Sequence, residues 1–92
     1  MNVQVIIAPM TLQHLQNAAN WYRERSNSDE LASDWLNGFL DVLKSLQFDP
    51  ARYPLARESH RFPVSIREVH YGSGRRKTHR ALFQVHGDTV HC

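Results

Sequence analysis

Apolar positions recur along this chain with two different periods. Residues 2–8 (NVQVIIA) are short and β-branched, and Pro9 closes them, so they predict a first strand. From Leu12 the period changes. Leu12, Leu15, Ala18, Ala19 and Trp21 with Tyr22 fall at helical spacing behind Thr11, a candidate N-cap, and predict a helix over about residues 12–25. Ser26, Asn27 and Ser28 interrupt it. Ser28 can cap a second helix whose first turn carries Asp29 and Glu30, where the helix dipole favours negative charge. The apolar stripe of that helix is Leu31, Trp35, Phe39, Val42, Leu43 and Leu46, widened by Leu36 and Leu40. The residue before Pro50 is biased away from helical geometry, so the helix should end by Phe48. A three-residue connection between two such helices predicts an antiparallel pair.

Residues 49–63 (DPARYPLARESHRFP) hold three of the four prolines and suit neither a helix nor a central strand; an ordered loop with Tyr53 and Leu55 tucked in is expected. Alternation then returns. Residues 64–71 and 78–85 predict two strands around a loop at 72–77, and His86, Gly87 and Asp88 turn into a last strand at 89–92. The order is β-α-α-β-β-β without repeat or linker. The expectation is one α+β domain over residues 1–92, an antiparallel helix hairpin packed on a small, mainly antiparallel sheet. In the third strand Ala81, Phe83 and Val85 share one face and are assigned to the core, which leaves Arg80, Leu82 and Gln84 on the open face.

Composition adds limits. A chain of 92 residues buries only about 60 to 65% of its unfolded surface, so the core is thin. The longest apolar run, residues 5–10, is broken by Pro9 and falls far short of the roughly 18 residues of a membrane span. No basic region followed by an apolar stretch marks a signal peptide, and a cytoplasmic location without membrane association is expected. The lone cysteine, Cys92, cannot form an internal disulfide, in keeping with a reducing compartment. Charge is divided unevenly. Residues 1–50 carry three Lys/Arg against six Asp/Glu, and residues 51–92 carry eight against three. An acidic scaffold half and a basic working half suit a phosphate-bearing or acidic partner, with a solvated basic face as the plainer alternative.

The chemistry-bearing residues concentrate in the hairpin of residues 66–85. Arg67 and Arg80 come from neighbouring antiparallel strands, and a loop centred near Ser73 and Gly74 brings them close to cross-strand partners. Two guanidiniums there could clamp a phosphate with forked donors and stabilise charge at a scissile phosphodiester, so they are the catalytic candidates. Their other fate is exposure, or salt bridges to Glu68 or Glu58. Arg75, Arg76 and Lys77, at a glycine-flanked tip, can reach a polyanion or a protein target, and with Arg80 they form the candidate binding set; a charged, solvated tip explains them equally. Glu58, His60, His70, His79, His86 and His91 are candidate acids or bases, each otherwise a surface or partly packed side chain. His79 points away from the face of Arg80, and Glu68 and His70 share the face of Ile66, opposite in parity to Arg67. A zinc site from His91 and Cys92 with His86 or His79 lacks any Cys-x-x-Cys or His-x-x-x-His pair, and neither a metal nor a cofactor is expected. Trp21, Tyr22, Trp35 and Phe39 read as the seam between the helices. Trp21 and Tyr22 cannot both point fully inward, which leaves one available to a partner.

These residues together resemble the RelE/ParE superfamily of toxins from type II toxin-antitoxin systems, and more closely its ParE-like plasmid-stabilisation branch. The resemblance spans nearly the whole chain. It rests on LKSLQFDP at residues 43–50, on Tyr53, Pro54, Leu55, Ala56 and Glu58, on Ile66, Arg67 and Glu68 with Tyr71 and Gly72, and on RALFQVHGDTV at residues 80–90. It implies a growth-inhibiting toxin and a cognate antitoxin that covers the helix groove or the basic sheet. ParE-like members poison DNA gyrase, whereas RelE-like members cut mRNA on the ribosome without a metal. Arg80 matches the strand arginine of the nuclease branch, and Arg67 the arginine of the IRE-type motif common in ParE-like sequences. Family members usually continue past the position of Val90 with a segment that contributes to toxicity or cleavage, so by that pattern the domain is short at its C-terminus. The expectation is a toxin that binds a protein target, plausibly gyrase; the alternatives are a ribosome-dependent endoribonuclease and an inactive antitoxin-binding relative.

Overall fold

The computed structural model describes residues 3–72 and 79–92. Its elements follow the expected order: β1 (Gln4–Ile6), α1 (Pro9–Ser26), α2 (Asp29–Lys44), β2 (Ile66–Tyr71), β3 (His79–His86) and β4 (Thr89–His91), with short 3-10 turns at Ser45–Gln47, Pro50–Arg52 and Arg57–Arg61. The strands form one mixed sheet in the order β1-β4-β3-β2. β1 runs parallel to β4, and the other two pairs are antiparallel. The protein is therefore α+β, with two helices and a four-stranded sheet.

α1 begins earlier than the pattern suggested, because Pro9 opens the helix instead of merely closing the strand. Proline is well placed in a first turn, where its missing N–H has no intrahelical partner to lose. Thr11 is accordingly not the cap. Its hydroxyl donates to the Cys92 carbonyl at 2.9 Å, and the Ala8 amide donates to the same oxygen at 3.2 Å, which ties the start of α1 to the end of the β4 segment. At the other end Asn27 adopts a left-handed conformation (φ 54°), which asparagine tolerates better than most residues, and the chain reverses in two residues. Ser28 caps α2 as expected, its Oγ accepting from the Leu31 amide at 3.2 Å. Regular helix stops at Lys44, and a 3-10 turn carries the chain on to Gln47.

The core lies between α2 and one face of the sheet. Leu15, Phe39, Leu43, Leu46, Val69, Phe83 and Val90 are buried together, and Trp35, Tyr53, Tyr71, Ala81 and Val85 pack around them. Phe83 with Ala81 and Val85 faces inward, as strand parity required. Four residues of the expected apolar set are not in the core. Leu12 and Trp21 of α1 are 45% and 51% exposed, so Trp21 is not buried in the seam between the helices. Leu31 is 59% exposed, since it lies in the first turn of α2, beyond the reach of the sheet; Leu55 is 53% exposed. The segment around Leu55 is extended, so neighbours alternate sides, and Ala56 takes the buried position instead. That segment also covers the outer edge of β2: the Glu68 amide donates to the Pro54 carbonyl (3.0 Å) and the Ala56 amide to the Ile66 carbonyl (2.8 Å). A sheet edge paired in this way is protected from pairing with another chain.

One close approach fixes how α2 meets β2. The Tyr71 hydroxyl donates to the Trp35 carbonyl at 2.9 Å, and its ring stacks on Phe39 with centroids 4.5 Å apart. The phenol crosses α2 directly over Gly38, where any Cβ would collide with the Tyr71 oxygen. The glycine is required there by space.

Candidate functional site

The β2–β3 register decides which side chains can meet. It pairs Arg67 with Phe83, Val69 with Ala81, His70 with Arg80 and Tyr71 with His79. A loop centred on Ser73 and Gly74 would instead have paired Arg67 with Arg80, three residues out of step. An odd slip exchanges the two faces of a strand, and this one would have moved Val69 to the open side with Glu68 in its place among the buried side chains. Val69 is 5% exposed, so burial selects the observed register.

The consequence is that the two catalytic candidates lie on opposite faces. Arg67 shares the face of Phe83, and its Nη1 donates to the Tyr53 carbonyl at 2.6 Å, pinning the loop under which Tyr53 packs edge-on against Phe83. Arg80 stays on the open face, as parity indicated. A two-arginine phosphate clamp is not formed. Arg75, Arg76 and Lys77 lie outside the described residues.

Around Arg80 the open face carries a closed network of charge. Its Nη1 donates to Glu68 Oε2 (2.7 Å) and to Glu58 Oε1 (3.0 Å), and its Nη2 donates to Glu58 Oε2, so Glu58 is held by both arms of the guanidinium fork. The other oxygen of Glu68 lies 3.0 Å from His70 Nε2. Hydrogen bonding from Arg80 holds both carboxyls below their ordinary value of 4.5, and His70 adds to the effect at Glu68. The guanidinium is held charged by the same two contacts, above its already high ordinary value.

Glu58 reaches the sheet because of the turn that carries it. It sits in the 3-10 turn Arg57–Arg61, and Ser59 Oγ in that turn accepts the Ile66 amide at 2.8 Å, anchoring the turn to the first residue of β2. Sequence reasoning named both glutamates as possible partners of Arg80 but passed over Ser59. A hydroxyl inside a proline-flanked loop gives no periodic signal. Leu55, Arg57, Glu68, His70 and Arg80 border a shallow depression of about 410 Å³ above the network.

The remaining candidates do not join this cluster. His79 faces the core side, its ring 5.2 Å from Trp35 and 5.9 Å from Tyr22. His60 Nδ1 lies 2.7 Å from the Arg57 carbonyl within its own turn. His86 and His91 are exposed. The Cys92 thiol is pushed up to about 11 by burial, which disfavours the thiolate a metal or a nucleophilic role would need. Among the described residues no three His, Cys, Asp or Glu side chains are placed to hold a metal ion. No helix among them is long and apolar enough to cross a membrane.

A second concave surface runs between α1 and β3. Thr11, His14, Leu15 and Ala18 from α1, Trp35, Phe39 and Leu43 from α2, and the chain from His79 to Leu82 line a groove of about 310 Å³. Comparison of the chain with family models, with curated proteins and with solved structures finds no match.

Proposed function

We propose that this chain is the toxin of a type II toxin-antitoxin pair, of RelE/ParE type, that arrests growth by binding a protein target, DNA gyrase, and is neutralised by a cognate antitoxin. The support for this family is the set of motifs in the sequence together with an element order, β-α-α-β-β-β, that agrees with what they imply. One observation favours binding over cutting: the guanidinium of Arg80 is engaged by Glu58 and Glu68 while Arg67 is turned to the other face. Two carboxylates bonded to the Arg80 guanidinium repel a phosphodiester that would approach it, and Arg57, the other described arginine at that depression, lies 3.8 Å from Glu58 as well. The groove between α1 and β3 offers an antitoxin segment an apolar channel.

The test is a gyrase supercoiling assay with the purified chain. Inhibition that is abolished by the product of the adjacent antitoxin gene is the expected outcome. Full supercoiling in the presence of folded protein removes gyrase as the target. Absence of growth arrest on expression, combined with tight antitoxin binding, points instead to an inactive relative.

The nuclease reading keeps one supporting observation. Glu58, Glu68, His70 and Arg80 meet on one face, a set with both a proton-transfer group and a cation, should a substrate displace the carboxylates. It requires cleaved message from translating ribosomes without added metal, and loss of that cleavage in Arg80→Ala.

A further inference from the structure

The far end of the helix pair carries a recess that none of the foregoing uses. Tyr22 and Ser26 of α1, Leu31, Asp34 and Trp35 of α2, and Tyr71 of β2 enclose a volume of about 370 Å³. Its three rings are in contact but inclined to one another: Tyr22 and Trp35 lie 5.0 Å apart at 45°, and Trp35 and Tyr71 lie 6.0 Å apart at 66°. Inclined contacts of this kind are ordinary aromatic packing, and the recess is the space that these rings border together with Ser26, Leu31 and Asp34. A cation within about 6 Å of a ring centroid is attracted by the negative face of the π-system, so one seated here would feel more than one ring.

Charge at the recess points the same way. Asp34 lines it, and among the described residues no cation pairs with Asp34. The two arginines of α1 nearest to it are otherwise occupied: Arg23 faces Asp29 at 3.7 Å, and Arg25 lies over the ring of Trp21, 4.8 Å from its centroid. Glu30 and Asp41 share the Asp34 side of α2 at spacings of four and seven residues, and both are exposed. Burial raises the pKa of the Tyr71 phenol and the Asp41 charge raises it further, so the field of this acidic edge reaches the wall of the recess. The cluster already shows its preference at its rim, where Trp21, 5.1 Å from Tyr22, carries the guanidinium of Arg25.

We propose that this recess is a recognition pocket for an organic cation, the arginine or lysine side chain of a basic segment on a partner protein that lies along the acidic edge of α2. Aromatic walls and a carboxylate without a cation among the described residues, at the end of a helix pair, select for a cation over a neutral side chain of the same shape. Leu31, exposed beside the pocket, supplies apolar contact for the aliphatic part of such a segment. The inference does not rest on the toxin reading, although one side chain, Trp35, borders both this recess and the groove between α1 and β3.

The test is an NMR titration of the full chain with N-acetyl-argininamide, following the indole N–H signals of its two tryptophans. The expected result is a saturable shift of the Trp35 signal, with the neutral isostere N-acetyl-citrullinamide binding several-fold more weakly, as a cation–π contact beside an exposed carboxylate implies. Asp34→Asn, an exposed substitution that should leave the spectrum well dispersed, weakens the arginine compound by a similar factor. Equal binding of the citrulline compound, a shift confined to Trp21, or undiminished binding to Asp34→Asn each overturns the proposal. Choline distinguishes the source: binding tighter than that of N-acetyl-argininamide overturns a partner side chain and identifies a free quaternary ammonium as the ligand.

Discussion

The open face of the sheet and the far end of the helix pair both gather charged and polar side chains, but they satisfy them differently. On the sheet, Arg80, Glu58, Glu68 and His70 bond to one another, and each charge has its partner inside the chain. At the helix end, Asp34 stands beside three aromatic rings with no cation of its own among the described residues. A network closed on itself stabilises the local structure and must be opened before it can bind anything. A carboxylate left unpaired beside a pocket contributes nothing to the fold and is ready for a ligand. The part of the molecule richest in candidate chemistry is thus the part whose chemistry is directed inward.

The largest effect expected on this contrast comes from Gly38→Ala. The new methyl collides with the Tyr71 oxygen, and either the phenol leaves the Trp35 carbonyl or α2 moves away from β2. Overpacking of this kind costs about 1–3 kcal/mol, measurable by urea unfolding. The damage should fall on the helix end: the Trp35 and Tyr71 signals move while those of Arg80 and Glu58 stay. In a Tyr71→Phe background the colliding oxygen is gone, and the same substitution should cost less. An equal cost in both backgrounds would show that the two residues do not meet as described.

The fold was largely legible in the sequence, and the site was not, for reasons visible in individual residues. Ser28, Asp29 and the stripe from Trp35 to Leu46 are local signals read over a few turns, and they placed α2 closely. The face of Ala81, Phe83 and Val85 followed from parity alone. The pairing of Arg67 with Phe83 could not be read the same way, because it depends on which of two strands' faces are buried together, a contest decided by Val69 and Phe83 across the sheet. Glu58 needed even more distant information: it meets Arg80 across 22 positions, through a turn held by one serine hydroxyl. Tyr71 and Gly38 carry no motif, and only their contact reveals why both are there. The order of elements followed from the periodicities and turn residues, whereas the family resemblance placed the arginines by motif, where neighbours decide their role.

A smaller effect, of opposite location, is expected from acid. Arg80 hydrogen bonds hold the Glu58 and Glu68 carboxyls below 4.5 in the folded protein, so the unfolded chain takes up protons first as pH falls. The stability these groups contribute is therefore complete above about pH 4.5 and is lost as pH drops through their lower folded values. Urea unfolding across this range should show the decline, and Glu58→Gln should make it shallower by removing one titrating partner. A slope unchanged by Glu58→Gln would mean that the carboxylate is not held by Arg80 in solution. The arginine-binding recess should be untouched by this substitution.

The smallest effect on stability is expected where the effect on binding is largest. Asp34 lies in the second turn of α2, past the first turn where the helix dipole rewards a negative charge, and it makes no ion pair among the described residues. Aspartate and asparagine are similarly poor helix formers, so Asp34→Asn should change unfolding free energy by no more than about 0.5 kcal/mol. The same substitution in the same protein should weaken capture of an arginine side chain several-fold, the size of an exposed ion pair. A loss of stability above about 1 kcal/mol would assign the carboxylate to the fold, since surface changes rarely reach that size without breaking a native contact. The helix end would then be closed on itself in the same way as the sheet, through a partner of Asp34.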